Sequence, residues 1–385
     1  MSLTTNAKTI RVPQLPWFGD TELELTFPDS WEVLPCLMGG HNLPPLSRDK
    51  VREAFLQPIG TPRLRELARG KREAVVIFDD MARPTKVAEL VPFVLEELRE
   101  GGIEESGIRF VVGLGAHAAM RRFDFVKKLG EEVAQRFPIY NHNPYENCAP
   151  LGQTSRGTPV SINSEVMSCD LKIAIGCIVP HPGAGFGGGA KLICPGVASM
   201  ETIVGNHQGV GGRGSPGPDN PLGRLHPSLG VGTTEENVLR LDAEEIARMA
   251  GLDFIVNALV NTKRETVALF VGDLVEAHRA GVRQGREVYA TPRPAGADIV
   301  VANAYGKADE AVIAAIIGPR ALGDQGGDLV VIANTPEGQI PHYASRSWGK
   351  EIGGKLWGPR PHLPRRVKRL IYCSSYPERA AADWI

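Results

Sequence analysis

No stretch of this sequence approaches the roughly 20 consecutive apolar residues that a membrane-crossing helix requires, and neither sign of charge forms a long run. The 43 Lys and Arg against 44 Asp and Glu leave a formal net charge of -1, which argues against nucleic acid or a membrane surface as the main partner. The amino-terminal MSLTTNAKTIRVPQ lacks the apolar core and small-residue cleavage pattern of a secretion signal, so a cytoplasmic location is expected. The six cysteines, Cys36, Cys148, Cys169, Cys177, Cys194 and Cys373, contain no CxxC pair, which removes the basis for a disulfide framework or a zinc knuckle. Internal repeats and low-complexity segments are also missing. What remains is a chain of 385 residues, 42% apolar and 23% charged, long enough for two compact domains and with a small molecule as its default partner.

From Ala74 onward, short β-branched runs alternate with helical patterns, the sequence form of a parallel sheet with crossover helices. Strands are expected over 74–80, 108–115 and 171–179. Helices are expected over 87–98, with Val87, Leu90, Val91, Val94, Leu95 and Leu98 on one face, and over 121–137. A Gly/Pro-rich stretch over 209–221 reads as a surface loop, followed by a helix over 235–249, the strands FIVNALVN and TVALFVGD, and a helix over 274–289. TPRPAGAD then marks a hinge before ADIVVANAYG (strand), 309–322 (helix), GDLVVIANT (strand) and RRVKRLIYCSS (strand). The expected fold is α/β in two α/β domains. A larger N-terminal domain with a mostly parallel sheet spans 1–274, a linking helix 275–290, and a smaller C-terminal α/β domain 291–385, with the site in the cleft between them.

Several strands of the larger domain run into polar residues with no evident packing role. Asp79, Asp80 and Arg83 follow the first, His117 the second and His181 the third, and the carboxyl ends of strands are where open α/β sheets build their sites. Singly, an Asp before a helix is an N-cap and a lone His is a hydrogen-bonded side chain; jointly they mark a site. The segment PHPGAGFGGGAKLICPG is glycine-rich around one lysine. Glycines let the backbone take positive φ and bring amide N–H groups to an anion, which implies a phosphorylated ligand. A Walker A loop needs Gly-Lys-Ser/Thr, whereas Ala190 precedes Lys191 and Leu192 follows it, so a nucleotide triphosphatase is set aside. A merely flexible loop would leave Ile193, Cys194 and Pro195 at its end unexplained. Cys177 and Cys194 flank the motif and are read as packed side chains rather than thiolate ligands.

These residues resemble a known family. DDMARPTK is similar to its motif Asp-Asp-x-Thr-Arg-Pro-Thr, GLGAH to its Gly-x-Gly-x-His, and PHPGAGFGGGAKLICPGVASMETIVGNH to its cofactor-binding stretch, with ten residues from His181 to Lys191 and sixteen from Lys191 to His207. DNP (219–221), FIVNALVN and GDLVEAHRAG extend the similarity over most of 70–282. The chain thus resembles the nickel-dependent 2-hydroxyacid racemase and epimerase family typified by lactate racemase. The resemblance implies a nickel pincer nucleotide, a pyridinium-3-thioamide-5-thiocarboxylic acid mononucleotide carrying Ni(II), tethered through Lys191 with His207 as the protein ligand to nickel. It implies His117 and His181 as the acid/base pair and Arg83 as the residue that orients the substrate. Asp80, Gly188, Gly189, Pro195 and Gly196 would belong to the cofactor-binding segments.

The activity so implied is an isomerase that racemises or epimerises a 2-hydroxy acid by reversible hydride transfer, served transiently by cofactor-synthesis proteins. The chemistry is coherent. A planar 2-keto acid can take hydride back on either face, two imidazoles can each serve one enantiomer, and a guanidinium forks onto a carboxylate without losing its charge. Square-planar Ni(II) accepts a neutral imidazole in its fourth position. The alternative is a non-catalytic or chaperone-like pincer-binding protein, against which both histidines stand. A hydrolytic metalloenzyme would need a compact ligand set, for which only His207, His181 and Asp80 are on offer. Departures from the family pattern are Ala82 for its threonine, Ala118 for its arginine, and Ile313 and Ile316 for a Gln and a Lys of the small domain. Lys307, Asp309 or residues near Trp348 are the available replacements, and a 2-hydroxy acid with a larger or more polar side chain than lactate is expected. His41, His142, His226, His342 and His362 are read as structural or exposed, and His278 as lining the domain interface.

Overall fold

The computed structural model describes residues 9–212, 226–294, 296–339 and 363–376. Most of the 209–221 stretch, with DNP at 219–221, and His342, Trp348 and His362 lie outside the described residues.

The apolar runs become strands because they are buried on both faces, the pattern of a parallel sheet covered by helices. These are β1 (Ala74–Asp79), β2 (Ile108–Gly113), β3 (Ile139–Asn141), β4 (Leu171–Cys177), β5 (Phe254–Val260) and β6 (Thr266–Gly272); every residue of β1, β4 and β5 is buried. They form one sheet in the order β6-β5-β4-β1-β2-β3, parallel except for the antiparallel β5–β6 pair at one edge. Alternation along β1 divides two cores. Val76 and Phe78 pack with Val91, Val94, Leu98 and Leu129 on one face, and Val75 and Ile77 with Ile193, Ala243 and Ile246 on the other. From β1 the chain builds β2 and β3 outward on one side, then returns to place β4 on the other. The junction of β1 and β4 is therefore the switch point, where an α/β sheet opens a crevice at its carboxyl ends.

Helices deviate from the sequence expectation where glycine or proline intervenes. The helix expected over 87–98 opens as a 3-10 turn (Val87–Glu89), and the α-helix proper is Val91–Glu100 with Pro92 in its first turn, where a missing N–H does no harm. The helix expected over 121–137 is two, Arg122–Leu129 and Glu131–Arg136, parted at Gly130 with φ 88°. Helices Val238–Met249 and Glu276–Val288 fall where expected, the second burying Ala277, His278, Gly281, Val282, Gly285 and Val288.

The C-terminal sheet is β7 (Ile299–Asn303), β8 (Gly327–Ile332) and β9 (Val367–Cys373), all parallel in that order, over a small core of Ala304, Ala311, Ala315, Leu329, Val331 and Ala333. The segment expected as a helix over 309–322 is a 3-10 turn (Tyr305–Glu310), a short α-helix (Val312–Ile317) and a second 3-10 turn (Gly318–Ala321).

Among the described residues three antiparallel pairs lie outside the strands expected from the sequence, the shortest being Pro180–His181 with Gly185–Phe186. Cys148–Gln153 pairs with Pro159–Asn163, and the N-terminal Thr9–Gln14 pairs with Thr21–Thr26. The N-terminal hairpin joins both units. Gln14 hydrogen-bonds Asn303 (2.8 Å) and Asn334 (3.0 Å), while its turn reaches the large sheet through Asp20, paired with Arg264 at 2.6 Å, and Phe18, which lies under the Lys127 ammonium at 3.9 Å.

Candidate active site

Three strand ends deliver the side chains. Asp80 and Arg83 follow β1, and Lys128 fixes that turn by donating to the Asp80 and Arg83 carbonyls (2.8 and 3.0 Å) while pairing with Asp79 (2.8 Å). Asp79 also accepts from Thr85 at 2.5 Å, so it is the structural member of the Asp79–Asp80 pair. His117 follows β2 on a turn set by Gly115, φ 57°, whose N–H donates to the Gly196 carbonyl at 2.8 Å; a Cβ there would stand 3.1 Å from Pro195. Pro195, after a cis peptide bond, and Gly196 thus dock the turn that carries His117.

His117 and Asp80 are bound at 2.5 Å through Nδ1 and Oδ2. Burial alone would raise the Asp80 pKa, but the charge and hydrogen bond of His117, then Arg83 and Lys128, hold it down at about 2. An ionised Asp80 accepts from Nδ1–H, which leaves the lone pair of a neutral His117 on Nε2.

His181 has the opposite arrangement. Its Nδ1 accepts from the N–H groups of Gly183 (3.1 Å) and Ala184 (3.0 Å), so the proton of the neutral ring sits on Nε2. Burial, then the charges of Lys191, Lys307, Arg83 and His207, push its pKa well below the ordinary value and keep it neutral. Those four groups therefore lie within electrostatic reach of His181.

Lys191 rides a 3-10 turn (Gly189–Leu192) at the end of the glycine-rich loop. Gly188 has φ 70°, and a Cβ there would meet the Asn257 Oδ1 at 2.6 Å and the Cys177 carbonyl at 2.9 Å, so only glycine fits. The loop is gripped from below. Buried Arg240 donates to the carbonyls of Gly188 (3.0 Å), Gly187 (3.4 Å) and Phe186, His278 Nε2 donates to Gly187 O (2.9 Å), and Asn257 Oδ1 accepts from Gly189 N–H (2.7 Å). His278 is thus wholly buried beneath the loop, held on its other nitrogen by Arg279 at 3.2 Å. The Lys191 Nζ is enclosed and has no hydrogen-bond partner among the described residues. Burial, then the Arg240 charge, bring its pKa down to about 7.

His207 lies on a π-helical turn (Gly205–Val210), its Nδ1 donating to the Ile203 carbonyl at 3.1 Å, which sets the lone pair on Nε2. Burial pushes the Cys177 and Cys194 thiols up to about 12, in keeping with packing roles. Among the described residues no three His, Cys, Asp or Glu side chains group as a metal-binding set.

The small unit completes the site with residues that sequence reading had offered only as replacements or had missed. Arg83 meets Glu310 at 3.3 Å, and Lys307 pairs with the same Glu310 oxygen. Burial works against the charge on Arg83, yet Glu310 and Asp80 raise its pKa. Asp309 is pushed up by burial and then by Glu310. Ile313 and Ile316 lie on the Val312–Ile317 helix, half-buried. Between the units runs a cleft lined on one side by Asp80–Pro84 and Ala118–Arg121, on the other by Gly306, Ala308, Asp309 and 334–339, and at one end by Pro16–Phe18.

Such a fold, with strand-end histidines and a buried lysine on a glycine loop, is that of an α/β enzyme. Comparison with known proteins narrows it. The model of the lactate racemase N-terminal domain matches residues 18–215. The lactate racemase of Thermoanaerobacterium thermosaccharolyticum is 29% identical over 329 residues, 83% of this chain and 74% of that protein. That of Lactiplantibacillus plantarum is 30% identical over 297 residues, 76% of this chain and 67% of that protein. Among solved structures, the lactate racemase apoprotein of T. thermosaccharolyticum superposes with a TM-score of 0.66 at 26% identity, covering 86% of this chain and 75% of that one. A Thermotoga maritima protein at 19% identity and TM-score 0.57, covering 74% and 71%, shares the fold. The chain belongs to the lactate racemase family and is an isomerase. Among the described residues no helix is long and apolar enough to cross a membrane.

Proposed function

We propose that the chain racemises or epimerises a 2-hydroxy acid at C2, with Lys191 as the tether and His207 as the protein ligand of a nickel pincer nucleotide. The residues fit that group. An enclosed, unpartnered amine whose pKa has fallen to about 7 is largely neutral near pH 8, the state in which an amine acylates. His207, which like Lys191 acts on His181, offers an imidazole whose neutral form carries its lone pair on Nε2. When bound, the group would supply a reversible hydride acceptor, so that substrate passes through a planar 2-keto acid.

The chain's own groups handle the carboxylate and the proton. Arg83 would hold the carboxylate. His117, held by Asp80 with its lone pair on Nε2, is set to accept the hydroxyl proton and, once charged, to return it to the keto oxygen, while neutral His181 can hydrogen-bond that oxygen through its Nε2–H. This complementary pair of hydrogen-bonded rings, His117 held through Nδ1 by Asp80 and His181 accepting two backbone N–H groups on Nδ1, is the observation that carries the proposal.

The cleft, whose lining includes Asp80 and Arg83 but none of His117, His181, Lys191 and His207, also bears on the substrate. Trp17, Phe18, Met81, Ala118 and Met120 give it apolar walls, and its cations are already neutralised, Arg264 by Asp20 and Arg121 by Asp124 and Glu337. A side chain larger than a methyl, without a second carboxylate, suits it. Cofactor-loaded chain offered single enantiomers of lactate, malate, 2-hydroxyglutarate, phenyllactate and a sugar acid should show its highest kcat/KM on one of the larger neutral side chains. Lactate as the best substrate overturns the side-chain assignment, and no inversion of any of them overturns the function.

A further inference from the structure

We propose that Arg83 and Lys307 form a two-cation carboxylate site shared between the two units, that Glu310 fills it in the ligand-free chain, and that the substrate carboxylate enters by displacing Glu310. The inference rests on the assignment of Arg83 to the substrate carboxylate. A single Glu310 oxygen, Oε2, is bracketed by Arg83 Nη1 at 3.3 Å from the large unit and by Lys307 Nζ from its own turn. The Glu310 side chain is only 5% exposed, and those of Arg83 and Lys307 18% and 20%, so the ion triad is largely enclosed. The 3-10 segment Tyr305–Glu310 is interrupted at Lys307, whose backbone (φ -148°, ψ 46°) leaves the helical region. Lys307 and Glu310 nonetheless meet three residues apart.

Two cations placed around one carboxylate oxygen form the recognition pattern for a carboxylate ligand. The charges of Lys307 and Arg83 both act on His181 and on Lys191, so the triad belongs to the reacting site rather than to a remote interface. Exchange of one carboxylate for another leaves the buried charge balanced, whereas removal of Glu310 without replacement would leave two enclosed cations against one another. Asp309, next to Glu310 and lining the cleft, has its ionisation opposed by that neighbour. Glu310 thereby acts as an internal competitor that sets how tightly substrate binds.

The test uses the full chain without cofactor and glycolate as the probe, the smallest 2-hydroxy carboxylate, with the neutral glycolamide as its control, titrated calorimetrically. Glu310→Gln should bind glycolate at least about ten-fold more tightly than the parent chain, and Lys307→Met about ten-fold more weakly, the scale of one hydrogen bond to a charged group. Lys307→Arg should stay near the parent, and glycolamide should respond to none of the changes. Glu310→Asp, one methylene shorter and gentler on the fold, should also bind more tightly than the parent. The proposal is overturned if Glu310→Gln and Glu310→Asp bind glycolate no better than the parent, if Lys307→Met binds it equally well, or if none of the folded chains binds it. The two readings fail separately. Tighter binding by Glu310→Gln in a chain that never racemises removes the function and keeps the carboxylate site, while racemisation by a chain whose glycolate affinity ignores Glu310 does the reverse.

Discussion

Lys191 is the residue with the clearest physical signature. An unfolded chain keeps the lysine proton up to its ordinary value of 10.5, while the folded chain releases it above about 7. Between those values the unfolded state binds more protons, so stability of the cofactor-free chain should rise with pH across that window. Below about 7 the buried charge costs on the order of a few kcal/mol, since each pKa unit is worth about 1.4 kcal/mol. Lys191→Met should therefore raise the melting temperature of cofactor-free protein at pH 6, and the gain should shrink as the pH climbs toward 10. A destabilised methionine variant at pH 6 would mean that the amine is satisfied. The histidines make a separate prediction. His117→Ala and His181→Ala should each lose about 10²- to 10⁴-fold in racemisation rate, the usual scale for losing a group that takes the proton or hydrogen-bonds the reacting oxygen. Asp80→Asn should lose rate through His117, because an amide does not fix Nδ1–H as a carboxylate does; parent rates in any of the three variants would make that residue structural.

At the scale of elements, the strand-rich middle of the chain was legible because β-branched runs buried on both faces leave no other reading, and polar residues at their ends stood out for the same reason. The hairpins were not. CAPLGQ carries proline and little alternation, while TIRVPQ and TELELT do alternate, at Ile10/Val12 and Leu23/Leu25, but are short and mostly exposed and so bury little apolar surface. The grip on the glycine-rich loop was equally hidden. Arg240 sits in an ordinary amphipathic helix, and its partners are backbone carbonyls some fifty positions upstream, which no side-chain pattern announces. The Arg83–Glu310 pair spans 227 positions, from the turn after β1 to the turn after β7, and the Lys307–Glu310 spacing looks like any surface pair of a helix. Arg240→Leu should destabilise the chain by about 3–5 kcal/mol by stripping three buried carbonyls and Glu244 of a partner, a loss readable by chemical denaturation. A shift below about 0.5 kcal/mol, the range of ordinary surface changes, would show that the loop holds itself.

For the whole molecule, the arrangement argues for closure. The cleft has walls from both units, the segment over 291–296 links them through proline and glycine, and the N-terminal hairpin touches each. Closing over a bound 2-hydroxy acid would exclude water from the hydride step. Small-angle scattering of protein shown to bind ligand should report a more compact particle than ligand-free protein; identical profiles would remove the closure. The central claim is that this family member inverts C2 of a 2-hydroxy acid by moving hydride rather than abstracting a proton. The most direct test is to give cofactor-loaded enzyme one enantiomer of its best substrate carrying deuterium at C2, in ordinary water. The account predicts that the opposite enantiomer forms with the deuterium still at C2; loss of the label to solvent as inversion proceeds would contradict it.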